Sequence, residues 1–79
     1  MDRTDVKIQQ IMADVFNISV DEITEESSQD TIEAWDSLKH LDLVVALEEE
    51  FDISIPVEEI GAMVSFKLVS FIVKELLNQ

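Results

Sequence analysis

The sequence predicts an all-α protein: a small four-helix bundle of three longer helices and one short helix, with a long first loop. Three observations predict it. Apolar residues recur at helical spacing in three separate stretches, and no two segments alternate as paired strands would. The 79 residues include one Gly and one Pro, so long runs are free of helix breakers. Cysteine is absent, which excludes a disulfide frame and leaves packing of the 47% hydrophobic residues as the source of cohesion. A chain of this length supports one core, so residues 1–79 are expected to form a single domain.

The first helix is predicted over about residues 3–16, where Ile8, Ile11, Met12 and Val15 fall at i, i+3, i+4 and i+7. Asp2 or Thr4 can cap it, and Asn17 can stop it. Residues 17–36 (NISVDEITEESSQDTIEAWD) lose that period. So long a structureless loop is uncommon in a small domain, so an ordered, wrapped connection is expected. Ile18, Val20, Ile23, Ile32 and Trp35 can pin it to the core. Within it, Ser19-x-x-Glu22 has the form of a capping box and predicts a helical turn at about 20–23.

A second helix is predicted at about 37–51, after Asp36. On a helical wheel Leu38, Leu41 and Val45 make one apolar face, and Leu43, Val44, Leu47 and Phe51 make another. A narrow solvated sector holds Lys39, Asp42, Ala46, Glu49 and Glu50. That pattern predicts a central helix packed on two sides, with Glu48 laying its stem flat and its carboxylate reaching water. Asp52–Ile55 alternates like a strand but has nothing to pair with. It is expected to be an extended connector whose Ile53 and Ile55 dip into the core. Pro56 suits the start of a short helix from Val57 to Ala62, weakened by Gly61. Ser65 then caps a last helix of about 66–78, with Val69, Ile72, Val73 and Leu76 on its stripe.

Charge narrows the function. Eighteen acidic residues against five basic ones give a net charge of -13, which repels nucleic acid and attracts basic protein patches. Residues 63–79 escape this excess, with one acid and two bases. No apolar run approaches a membrane span, and the N-terminus (MDRTDVK) has no apolar signal stretch. A freestanding cytoplasmic monomer is the expectation.

Enzyme readings fail for want of parts. One His and no Cys exclude a zinc site of the usual type, and the acids never take the form of a calcium loop. Ser37 and His40 are three apart on one helix, yet no G-x-S-x-G elbow, oxyanion hole or orienting acid accompanies them. His40 reads as a partly exposed spectator. A single Gly rules out glycine-rich phosphate loops. What remains is the Asp36-Ser37 junction in EAWDSLKHL. Taken alone it is a helix start, with Asp36 as N-cap. A helix N-terminus also favours a phosphate on that serine, through free N–H groups and the positive end of the dipole. Asp36 opposes part of that benefit, so an acid kept beside a modifiable hydroxyl makes most sense if another protein reads the acid.

The residues D-S-L at 36–38, followed by VVALEEEFDISIP at 44–56, resemble the acyl carrier proteins, including the related peptidyl carriers. The resemblance covers nearly the whole chain. It implies that Ser37 carries 4′-phosphopantetheine, transferred from coenzyme A by a phosphopantetheinyl transferase and joined as a phosphodiester. The arm's thiol would then hold acyl intermediates as thioesters and present them to partner enzymes. On this reading the transferase supplies activation, the missing triad is explained, and the chain is a carrier and no enzyme. Asp36, Asp42, Glu48 and Glu49 match positions that meet basic patches on acyl-transferring, condensing or ligating enzymes. Lys39, Val57 and Gly61 stand where fatty-acid-synthesis members usually have acids, and Trp35 resembles specialised carriers reading W-D-S-L. The resemblance implies a place in fatty-acid, polyketide or specialised lipid biosynthesis, and these departures speak against the housekeeping fatty-acid role and for a narrower partner set, in polyketide, modified-lipid or cell-surface acyl transfer. By the same resemblance, Leu38, Leu41, Val45, Leu47, Ile55, Ile60 and Met63 are candidates to line a pocket for a folded-back acyl chain; taken singly, each reads more readily as ordinary core. An amino-acid cargo, or an unmodified acidic interaction module, are the alternatives.

Overall fold

A computed structural model describes residues 2–78. Helix α1 runs Arg3–Phe16, α2 Ser37–Phe51, α3 Val57–Ile60 and α4 Phe66–Leu77, with a 3-10 turn at Val20–Glu22 in the first loop. Among the described residues there is no strand, only an isolated bridge between Ser28 and Ser65. The all-α bundle of three longer helices and one short one is what the periodicity predicts.

The ends follow their capping chemistry. Asp2 caps α1 by accepting from the Asp5 amide at 2.8 Å, and Ser65 caps α4 by accepting from Leu68 N–H at 3.2 Å. Asn17 and Asp52 close α1 and α2 in the left-handed region, at φ 56° and 55°. Asn and Asp tolerate this conformation better than most side chains, which is why each helix stops there. Pro56 sits at the N-cap of α3, and with Gly61 as its C-cap that helix ends at Ile60, two residues earlier than the sequence implies.

The long loop is ordered, for identifiable reasons. The Ser19–Glu22 capping box forms, with Ser19 N–H donating to Glu22 Oε2 at 3.0 Å. Gln9 of α1 donates to the carbonyls of Val20 and Ile23. Further on, Gln29 N–H donates to Val64 O and Phe66 N–H to Ser27 O, tying the loop to the start of α4. Ile23, Ile32 and Trp35 are buried beneath it, whereas Val20 is exposed and Ile18 half-buried.

The core joins Ile8, Met12 and Phe16 of α1 to Leu43, Val44 and Leu47 of α2, and to Phe66, Val69, Ile72 and Val73 of α4. The connector lowers Ile55 into it. Trp35 packs on Phe16 with ring centroids 5.2 Å apart. The expectation that α2 packs on two sides is not met. Only one face is buried, and Leu38, Leu41 and Val45 stand 75%, 55% and 54% exposed. Helix α1 packs on the buried side of α2, and no other element among the described residues covers Leu38, Leu41 and Val45.

Candidate functional site

Ser37 is the first residue of α2 and is exposed. Asp36 before it adopts an extended conformation and turns its carboxylate onto the helix, accepting from Lys39 N–H at 2.8 Å. The Asp36 carbonyl accepts from His40 N–H at 2.8 Å, so the first turn is closed while the Ser37 side chain projects from its start. The other serines differ. Ser19, Ser27, Ser28 and Ser65 accept from nearby backbone amides, and Ser70 donates its hydroxyl to buried Asp5. Among the described residues Ser37 and Ser54 keep hydroxyls outside such bonds, and Ser54 lies on the extended connector between the caps Asp52 and Pro56, in the first turn of neither helix. A phosphodiester on Ser37 Oγ would meet the positive end of α2 and open solvent, so the site fits such a group.

Two residues near the site behave differently from what the sequence predicts. His40 is no exposed spectator: it is 8% exposed, receives Trp35 Nε1–H at 2.9 Å and lies 2.8 Å from Ile60 O. A buried indole needs an acceptor, and Trp35 in a loop wrapped on the core was the signal that could have found it. With both ring nitrogens engaged, His40 offers Ser37 no general base. Glu48 does not send its carboxylate to water alone, because Oε2 accepts from Ile55 N–H at 2.8 Å and fastens the connector to α2. Of the four acids matched to partner recognition, Asp42 and Glu49 are exposed, Asp36 is exposed with one oxygen engaged as cap, and Glu48 is half-buried in this structural bond.

The seven pocket candidates divide between two environments. Leu47, Ile55 and Met63 belong to the core and Ile60 packs at its edge. Leu38, Leu41 and Val45 face solvent on the strip of α2 that begins at Ser37. They do not line an interior seam with the other four. The wheel placed both apolar faces correctly, but periodicity cannot tell a face covered by a helix from one left bare.

Sequence reasoning also missed Asp5. It is 9% exposed and holds the Ser70 hydroxyl, while Lys74 Nζ lies 3.3 Å from it and 2.8 Å from Asp2. These groups fasten α1 to α4 on the far side of the bundle. The hydrogen bond to Lys74, then that from the Asp5 amide, holds the Asp2 carboxyl below its ordinary value, and Asp2 in turn raises Lys74.

The described residues thus form a short helical bundle with an exposed, unbonded serine at the head of a half-bare helix. The comparisons give the family. The family model described as "Phosphopantetheine attachment site" matches residues 6–64, and the chain belongs to that family, whose covalently attached group is 4′-phosphopantetheine. The chain is 47% identical over 53 residues to an acyl carrier protein of Clostridium acetobutylicum, covering 67% of this chain and 69% of that one. It is 41% identical over 59 residues to the acyl carrier protein AcpXL of Mesorhizobium japonicum, covering 75% of this chain and 63% of that one. The solution structure of holo acyl carrier protein from Geobacter metallireducens superposes with a TM-score of 0.85 at 28% identity, covering 98% of this chain and 88% of that one. The chain is thus an acyl carrier protein by family and fold.

Proposed function

We propose that Ser37 is the attachment point and that this chain carries acyl intermediates of a specialised lipid or polyketide route. The carrying observation is the contrast among serines: within residues 6–64, Ser37 alone joins an exposed, unbonded hydroxyl to a helix N-terminus. The arm supplies a thiol that holds the cargo as a thioester. Ser37 Oγ bonds to the pantetheine phosphorus of coenzyme A as the pyrophosphate bond breaks and adenosine 3′,5′-bisphosphate leaves; the serine proton goes to a base on the phosphopantetheinyl transferase, since His40 is engaged elsewhere. Asp36, Asp42 and Glu49 supply the charge that partner enzymes with basic patches meet, and Leu38, Leu41 and Val45 supply apolar contact beside it. Glu48 adds charge to the same face through its second oxygen. Leu47, Ile55, Ile60 and Met63 are the candidates for contact with a folded-back acyl chain. Lys39 and Trp35 support a narrower partner set than fatty-acid synthesis. The cytoplasm is the compartment we propose, and one chain the working unit; no helix among the described residues is long and apolar enough to cross a membrane.

Intact-mass measurement after incubation with coenzyme A and a broad-specificity transferase tests the attachment. The wild-type chain and Ser54→Ala gain the mass of the arm, and Ser37→Ala does not. Equal gain in Ser37→Ala would refute the assignment. Hydrolysis of thioester-bound cargo from the native protein then separates an acyl chain from an amino acid.

A further inference from the structure

Directly behind Ser37 lies a chain of hydrogen bonds that contributes no reacting atom to arm attachment. Trp35 Nε1–H donates to His40 Nδ1 at 2.9 Å, and His40 Nε2 lies 2.8 Å from the carbonyl oxygen of Ile60. An indole N–H can only donate, so Nδ1 accepts and the ring proton sits on Nε2, where it donates to Ile60. The two ring planes are 24° apart with centroids 6.1 Å apart. That spacing is too long for rings lying face on face at van der Waals contact, and it suits an edge-to-edge bond with the N–H near the imidazole plane. Trp35 and His40 are both buried, so removing either partner strands a polar group away from water.

The chain of bonds joins three separate pieces of backbone. Trp35 stands two residues before Ser37, His40 is in the first turn of α2, and Ile60 is the last residue of α3. None of the four residues of α3 is fully buried, and a helix of one turn cannot hold itself. Its place therefore depends on its flanks, on Ile60 packing at the edge of the core and on the bond from His40. Trp35 in turn is anchored on Phe16 of α1.

We propose that His40 is a positioning residue for loading of the arm. Nδ1 fixes Trp35 and, through the short backbone run Trp35-Asp36, the angle at which Ser37 is presented to the transferase. Nε2 separately clasps α3 against the head of α2. The inference rests on Ser37 being the attachment point.

The two halves can be separated by substitution. His40→Asn puts a carboxamide oxygen near the place of Nδ1 and can still receive the indole N–H. His40→Gln extends an N–H near the place of Nε2 and can still donate to Ile60. His40→Ala keeps neither bond. With the full chain, coenzyme A and a transferase, kcat/KM for loading falls about five- to tenfold in His40→Ala, the factor of one neutral hydrogen bond. It falls similarly in His40→Gln and stays near wild type in His40→Asn. Emission of Trp35, the one tryptophan, shifts in Ala and Gln but not in Asn. Exchange of the Ala62 and Met63 amides, which bond to Glu59 and Ile60 carbonyls, quickens in Ala and Asn and is restored in Gln. Loading is assayed where denaturant curves show every variant folded. Loading of His40→Ala at the wild-type rate overturns the proposal, as does loading that merely follows global stability across the three variants. A wild-type chain that gains no arm at all refutes the attachment reading itself, a different failure visible in the same mass spectra.

Discussion

Asp36 shows why neighbouring residues at one helix start need separate tests. Its carboxylate caps α2 through Lys39 N–H and also stands beside the Ser37 hydroxyl that we propose as the attachment point. Alanine would remove both roles, at a cost of about 1 kcal/mol for the cap alone. Asparagine keeps the cap, because its side-chain oxygen accepts the same bond, and removes only the charge. Asp42 is exposed with no structural bond to lose. Asp36→Asn combined with Asp42→Asn is therefore expected to melt within a few degrees of wild type. Its loading slows about three- to tenfold at low salt, through association. Stopped-flow or discontinuous mass assays across salt concentrations check this, since the deficit should shrink as salt screens the remaining attraction. A deficit that ignores salt would mean the acids act by shape and not by charge.

Among the elements, the connector Asp52–Pro56 is the place where side-chain chemistry replaces secondary structure. It has no strand to pair with, and Ile55 must cross into the core with its backbone amide satisfied. Glu48, one turn from the end of α2, supplies the acceptor at 2.8 Å. Glu48→Ala leaves that part-buried amide without its partner and is expected to cost about 1–3 kcal/mol, whereas Glu48→Gln keeps an oxygen acceptor and costs less. Urea unfolding of the pair measures the difference, and faster exchange of the Ile55 amide locates it. The helices themselves were legible in the sequence because their signals are local: Asp2, Ser19, Asp36 and Ser65 each cap what lies within three residues, and Asn17 stops what lies behind it. Ser37 lies at one such start, and its proposed role comes from the resemblance of D-S-L and the segment after it. Glu48, His40 and Asp5 were not legible, because their partners come from other elements: Ile55 from the connector, Ile60 from α3, Ser70 and Lys74 from α4. A polar residue on an apolar arc signals that some partner exists, without saying which. The bare face of α2 was hidden by the same limit, since other elements decide which face is covered and the wheel of α2 does not contain that information.

At the scale of the whole molecule, two electrostatic effects oppose one another as pH changes. A net charge of -13 makes the bundle repel itself, so moderate salt is expected to raise its melting temperature near neutrality. Against this general repulsion the Asp2–Lys74 pair, 2.8 Å apart, is a local attraction that ties the start of α1 to the end of α4. Lys74, by its hydrogen bond first, holds Asp2 below the ordinary 3.8. The unfolded chain therefore binds this proton at higher pH than the folded one does. The contribution is fully present above 3.8 and is lost as pH falls through the lower folded value. Lys74 is raised above 10.5, so its share is present below 10.5 and is lost as pH climbs through the higher folded value. Both groups are exposed, which keeps the effect small. Asp2→Asn isolates it, because Asn still caps α1 by accepting from the Asp5 amide. The variant is expected to melt slightly below wild type by a constant margin between about pH 5 and pH 9. The margin should close below the ordinary carboxylate value, where wild-type Asp2 also loses its charge, and again in strongly alkaline solution. Paired melting curves across that range, at one fixed ionic strength, test it. A margin that persists unchanged in acid would show that position 2 acts through its cap and that the tie between the two helices carries no charge energy.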